Sequence, residues 1–192
     1  MTKILLILLL MVTSLTTASF AGGLKGKIKA SDEALSYVVV YLQPVEKISF
    51  PAPTNPVIMD QVNLNFEPHV LPVLVGTKVI FPNSDKIRHS VFSNSKPKKF
   101  DFGTYSPGTQ KFIICDQPGI IPILCYIHHD MSAYIIVLTT PYFAVTNDDG
   151  EYRIENVPAG KYHLTFWHED VQIRSEDVAI PAKGMNTRNI TQ

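Results

Sequence analysis

The sequence predicts an all-β protein of two β-sandwiches, one inserted into the other, and three observations carry that prediction. Fourteen prolines and ten glycines are spread through all 192 residues, which argues against long helices. The apolar segments are short, rich in β-branched and aromatic residues, and show no 3.6-residue period. Turn signals separate them at regular intervals, at 75–77, 82–85, 106–108, 118–119, 147–150 and 158–160. The overall balance agrees with a folded chain: 45% of residues are hydrophobic and 18% charged, which excludes a disordered or collagen-like protein. Seventeen basic and seventeen acidic side chains leave no net charge, which argues against nucleic acid as a partner. Two cysteines are too few for a disulfide framework.

The first segment is a targeting signal. Lys3 precedes an apolar run from Ile4 to Val12, and Ser19-Phe20-Ala21 places small residues at the −3 and −1 positions of a cleavage site. The run is short for a bilayer span of roughly 20 residues, so residues 1–21 read as a signal peptide rather than an anchor. No other segment is long and apolar enough to span, so the mature chain is expected to carry no membrane span. In a Gram-negative source the destination is the periplasm, an oxidising compartment in which Cys115 and Cys125 are able to pair.

Strands are expected at 24–29, 37–42, 57–66, 70–73, 77–81, 90–93, 110–114, 120–124, 133–138, 143–146, 152–155 and 162–168. Residues 48–56 hold three prolines without periodicity and read as a linker. Near the C-terminus, Asp148-Asp149-Gly150 reads as a hairpin turn, Glu151 to Ile154 alternates outward and inward, and Val157-Pro158-Ala159-Gly160 turns again into Tyr162 to Phe166. This stretch resembles the carboxypeptidase regulatory-like, transthyretin-type sandwich. The opening of that family, G-x-[IV] followed by a V-x-V-type strand, is matched about a hundred residues upstream by Gly26-Lys27-Ile28 and Tyr37 to Leu42. Two N-terminal strands bury no sheet face alone, and the C-terminal residues are few for a core of their own. The expected arrangement is therefore a discontinuous sandwich, 22–46 plus 140–192, with a second sandwich at 47–139 inserted at a loop. One continuous sandwich using all the strands is the alternative.

The insert carries the chemistry. Cys125-Tyr126-Ile127-His128-His129-Asp130-Met131 brings a thiolate, an imidazole and a thioether into one short loop, a donor set suited to copper rather than magnesium or calcium. A copper ion that changes oxidation state with little rearrangement wants two imidazoles, a thiolate and a weak axial thioether. C-x2-H-x2-M supplies three of these, and His89, after the turn at 83–88, is placed to supply the fourth. The flanking residues, Phe66-Glu67-Pro68, Leu71-Pro72-Val73, Gly76 to Val79, Phe81 to Asp85, His89-Ser90-Val91 and Pro118-Gly119 before Cys125, resemble the cupredoxins. The short loop is most similar to the amicyanin type, and the whole to "methylamine utilisation protein"-type cupredoxins.

That resemblance implies a Greek-key cupredoxin sandwich with one type 1 copper, His89, Cys125 and His128 equatorial and Met131 axial. Two positions depart from the family: Arg88 and Ser90 stand where Pro and Asn are usual beside the first His. The departure at Ser90 implies a weaker brace on the Cys125 sulfur. Arg88 is either a positive charge at the rim, favouring an acidic partner, or an ordinary solvated side chain. His129 competes with His128 for the ligand role, and His69 is a further candidate near the metal. A Cys115–Cys125 disulfide would remove the site altogether. No G-x-S-x-G, H-E-x-x-H or P-loop appears, so no enzyme is expected. The functional expectation is a periplasmic blue copper protein passing single electrons between redox partner proteins, such as a cytochrome or a dehydrogenase. A copper chaperone or sequestering protein is the alternative.

Overall fold

The computed structural model describes residues 21–172 and 175–192, and the regular elements among them are all strands. The expected signal segment lies outside the described residues except for Ala21. Among the described residues no helix is long and apolar enough to cross a membrane.

Four sheets stack, with three apolar layers between them. In the first, Ala21–Ala30 runs antiparallel to Glu151–Pro158 and parallel to Met185–Thr187, with Glu33–Ala34 and Ile190–Thr191 also paired to it. The second orders Phe143–Val145, Val39–Pro44, Gly160–Trp167 and Glu176–Ile180, all antiparallel. The third orders Lys99–Tyr105, His89–Asn94, Gly119–Leu124, Ser132–Leu138 and Val70–Leu74, the last pair being parallel. The fourth orders Gln110–Ile114, Lys78–Pro82 and Val57–Ile58. A hairpin of Asp60–Val62 and Asn65–Glu67 stands beside them.

Side-chain alternation along each strand assigns residues to the layers. Leu24, Ile28, Tyr152 and Ile154 from the first sheet meet Val38, Val40, Leu42, Leu164 and Phe166 from the second. Val79, Phe81 and Ile113 from the fourth sheet meet Val91, Ile121, Ile123, Ala133, Ile135 and Val137 from the third. Between these two sandwiches lies a seam. Val39, Tyr41, Phe143 and Trp167, on the other face of the second sheet, pack against Val70, Tyr134, Ile136 and Leu138 on the other face of the third. The Ser132–Leu138 strand is thus buried on both faces, its odd residues in one layer and its even ones in the next. Each fully buried Ile or Leu there contributes roughly 1.5–3 kcal/mol.

Three local expectations need correction. The strand expected over 57–66 is broken into Val57–Ile58, Asp60–Val62 and Asn65–Glu67, because Asn63 and Leu64 take φ of 51° and 64° and reverse the chain. The turn at 147–150 is not a hairpin. Asn147 Oδ1 accepts the N–H groups of Asp149 (3.1 Å) and Glu151 (2.8 Å), but the flanking strands lie in different sheets. The N-terminal strands decide this: Ala21–Ala30 takes Glu151–Pro158 as its partner, and Val39–Pro44 takes Phe143–Val145. The strands Lys99–Tyr105 and Glu176–Ile180 were not anticipated from the pattern of short apolar runs.

Gly26 shows how closely the chain ends pack. A Cβ there would fall onto the carbonyl of Arg188, which lies on the C-terminal segment. That carbonyl also accepts the Tyr152 hydroxyl at 2.8 Å, so it has little freedom to retreat. Gly26→Ala is expected to lower stability by about 1–3 kcal/mol, read as a shift in the urea midpoint.

Candidate metal centre

Strand ends bring the sequence-predicted residues together. Leu124, the last residue of its strand, pairs with Phe92 on one side and Ser132 on the other. Cys125 therefore leaves the sheet beside the start of the His89–Asn94 strand, and the loop returns at Ser132. The Met131 N–H donates to the His128 carbonyl at 3.0 Å, closing the loop as a turn.

His89, Cys125 and His128 each offer one donor atom, and these atoms all lie within 4.8 Å of one another. His89 Nδ1 faces His128 Nδ1 at 3.0 Å, and Cys125 Sγ lies 3.9 Å from His128 Nδ1. Donor bonds of about 2.0–2.3 Å to a single ion are compatible with these separations. His89 is 0% exposed and Cys125 is 4% exposed, while His128 is half-buried. Met131 is 1% exposed and belongs to the same apolar layer as Cys125. His129 is exposed, and His69 lies at the seam; neither belongs to the cluster. Both cysteines are free thiols, so the sulfur of Cys125 is open to coordination.

The residues around the cluster prepare it for a cation. Burial raises the Cys125 thiol, but the backbone N–H groups of Ser90 and His128, the Ser90 hydroxyl and the Ile127 N–H outweigh it and hold the thiol below its ordinary value. Cys115 has no such donors, and burial pushes it to about 12. Ser90 does reach the cysteine with its side chain. Its hydroxyl donates to Cys125 Sγ at 3.6 Å and accepts the Tyr126 N–H at 2.7 Å, tying the cysteine loop to the His89 strand with one short side chain. Arg88 is exposed and donates to Ser106 Oγ at 3.0 Å and the Thr104 carbonyl at 3.3 Å.

Sequence reasoning did not assign Asp85. Its Oδ2 accepts from His89 Nε2 at 3.0 Å, which leaves the Nδ1 lone pair directed at the cluster. The same oxygen accepts the Leu64 N–H at 2.9 Å. The N–H groups of Leu64 and Lys86 hold the carboxyl below the usual carboxylate range, with a smaller contribution from His89. Asn83, 1% exposed, shapes the intervening turn: its Nδ2 donates to the Ile87 and Tyr105 carbonyls at 2.9 and 3.3 Å, and its Oδ1 accepts the Asp85 N–H at 3.1 Å. The available signal was the i, i+4 spacing of Asp85 and His89 across a tight turn. Asp85→Ala is expected to weaken copper binding about 10- to 100-fold, measured by competition with a chromogenic chelator.

No protein-family model matches the chain, and no curated protein matches it. Among solved structures it is similar to a purple cupredoxin from Nitrosopumilus maritimus, 18% identical over 43% of this chain and 99% of that one, with a TM-score of 0.39. A copper-containing nitrite reductase from Thermus scotoductus is 28% identical over 51% of this chain, with a TM-score of 0.43; the match spans 26% of that longer chain. A reduced amicyanin variant is 15% identical over 51% of this chain and 99% of its own, with a TM-score of 0.41. Each of these similarities covers about half of this chain.

Proposed function

We propose that the chain is an exported protein that binds one copper ion and carries single electrons between redox partner proteins in the periplasm. The observation that carries this reading is the convergence of Cys125 Sγ with two Nδ1 atoms that lie 3.0 Å apart, all three donors within 4.8 Å of one another. Thiolate and imidazole together are soft, neutralising donors that accept both Cu(I) and Cu(II). Met131 would be the fourth, weaker ligand in this reading, which is supported by its burial in the same apolar layer as Cys125 and by the turn bond from its N–H to the His128 carbonyl. Copper bound there supplies a one-electron couple.

The protein's own residues do the rest. Asp85 fixes the tautomer and orientation of His89, and Ser90 locks the cysteine loop to the neighbouring strand. A site held between paired strands of one sheet changes little on electron gain or loss, which lowers the reorganisation that transfer requires. His128 alone of the three is half-buried, next to exposed Ile127 and Tyr126, so its ring is the edge a partner reaches. The discontinuous sandwich, 22–46 with 140–192, is proposed as a separate domain carrying the 47–139 copper domain. Export rests on the pattern of residues 1–21.

Cu(II) added to the purified mature chain tests this reading. An intense thiolate-to-copper absorption band together with reversible voltammetry is the expected result. Uptake of Cu(I) alone, without a stable coloured Cu(II) form, would replace electron transfer by copper sequestration. No uptake would remove both.

A further inference from the structure

The seam between the two sandwiches reaches the metal loop through a short polar chain. Glu169 lies after the Gly160–Trp167 strand of the second sheet, and its Oε1 sits 2.7 Å from His69 Nε2. His69 precedes the Val70–Leu74 strand of the third sheet, and its Nδ1 lies 3.2 Å from the carbonyl oxygen of Ser132. The His69 carbonyl in turn accepts the Tyr134 N–H at 2.9 Å. Ser132 is the residue after Met131 and the ladder partner of Leu124, the residue before Cys125. The loop 125–131 therefore closes on the Leu124–Ser132 pair, and one carbonyl of that pair is tied to the other sandwich.

The surroundings make this tie stiff. The His69 ring packs edge-on to Tyr37 at 5.4 Å and to Tyr134 at 5.8 Å, and Tyr134 packs against Trp167 at 5.1 Å. Burial raises the Glu169 carboxyl, but hydrogen bonds from His69 and Tyr134 outweigh it and hold the group below its ordinary range. A carbonyl and a carboxylate are both acceptors, so the two His69 contacts form together only with a proton on each ring nitrogen.

We infer that Glu169 and His69 are positioning residues for the metal centre: acting through the Ser132 carbonyl, they let the second sandwich set the geometry of the 125–131 loop. The effect on copper rests on the proposed function; the effect on the loop does not. Glu169→Ala cuts the chain of contacts. Glu169→Gln preserves it with a neutral ring, since the amide donates to Nε2 while Nδ1–H still donates to Ser132. His69→Gln breaks the chain from the other side of the seam. His163→Ala is the control, removing an exposed cross-strand pair with Asp177 in the same second sheet.

Two readouts are taken on the full mature chain: backbone amide resonances of Met131 and Ser132 without metal, and Cu(I) affinity by chelator competition. Glu169→Ala and His69→Gln are expected to move both resonances and to weaken Cu(I) binding about threefold, less than the roughly 10- to 100-fold seen when a group bonded directly to a ligand is lost. Glu169→Gln is expected to restore both readouts, and His163→Ala to change neither. Unmoved Met131 and Ser132 resonances in whichever of the two breaking variants folds would overturn the inference. So would a failure of Glu169→Gln to restore them. A wild-type chain that takes up no copper would defeat the proposed function while the metal-free resonances still decide the coupling.

Discussion

Cys125→Ser is expected to abolish the coloured Cu(II) form completely, while Cys115→Ser leaves it intact. The two thiols differ in what surrounds them. Cys125 receives hydrogen bonds from Ser90, His128 and Ile127 and lies within reach of two imidazoles, so its anion is stabilised where a cation is to bind. Cys115 is 0% exposed in the apolar layer, and its N–H and carbonyl serve the turn at 75–77 by bonding Thr77 and Gly76 at 2.9 and 2.8 Å. Its sulfur is a packing atom, and burial keeps it protonated. A serine hydroxyl at position 125 ionises far less readily and gives no low-energy charge-transfer band. Visible spectra of the two variants with added Cu(II) decide the matter; equal bleaching in both would show that the ligand assignment is wrong.

Leu164→Ala is expected to cost about 2–5 kcal/mol, read from the denaturant midpoint. Leu164 is 0% exposed and lies opposite Leu42 in the ladder, in a layer shared with Leu24, Ile28 and Ile154. Residues near both ends of the chain thus meet around one side chain, and the cavity left by truncation cannot be closed by either segment alone. The copper spectrum of the folded variant is expected to match wild type, because Leu164 faces away from the seam. A loss under about 0.5 kcal/mol would place this layer outside the cooperative core.

Much of this was legible in the sequence because period-2 alternation and turn residues act locally. Glu151 to Ile154 alternates in the sequence and in burial, and Asn147 caps its turn as Asn does. The ligand loop was legible for a similar reason: three donors within seven residues need no long-range information to be recognised. What stayed hidden depended on partners far away in the chain. Whether the turn at 147–150 makes a hairpin is decided by the N-terminal strands that claim its flanks. The Lys99–Tyr105 strand holds Phe100 and Phe102 at alternate positions, but Gly103, with φ of 61°, and a shift in pairing between Asp101 and Thr104 interrupt the pattern.

The seam was the largest omission, and it did leave a signal. Ala133-Tyr134-Ile135-Ile136-Val137-Leu138 and Val38-Val39-Val40-Tyr41-Leu42 are unbroken apolar runs, which mark strands covered on both faces. Two freely tethered sandwiches would have left Ile136, Leu138 and Val39 in water, where alternation predicts polar residues. Asp85 was hidden for another reason: an acid in a turn is usually solvated, and only the fold shows that its carboxylate meets Nε2 of a ligand histidine.

The most direct measurement is an anomalous difference map at the copper edge from crystals of the copper-loaded protein. The account predicts one peak bonded to His89 Nδ1, Cys125 Sγ and His128 Nδ1, with the Met131 sulfur as the more distant fourth neighbour. A peak held by His129 or His69 instead, or none at this cluster, would contradict it.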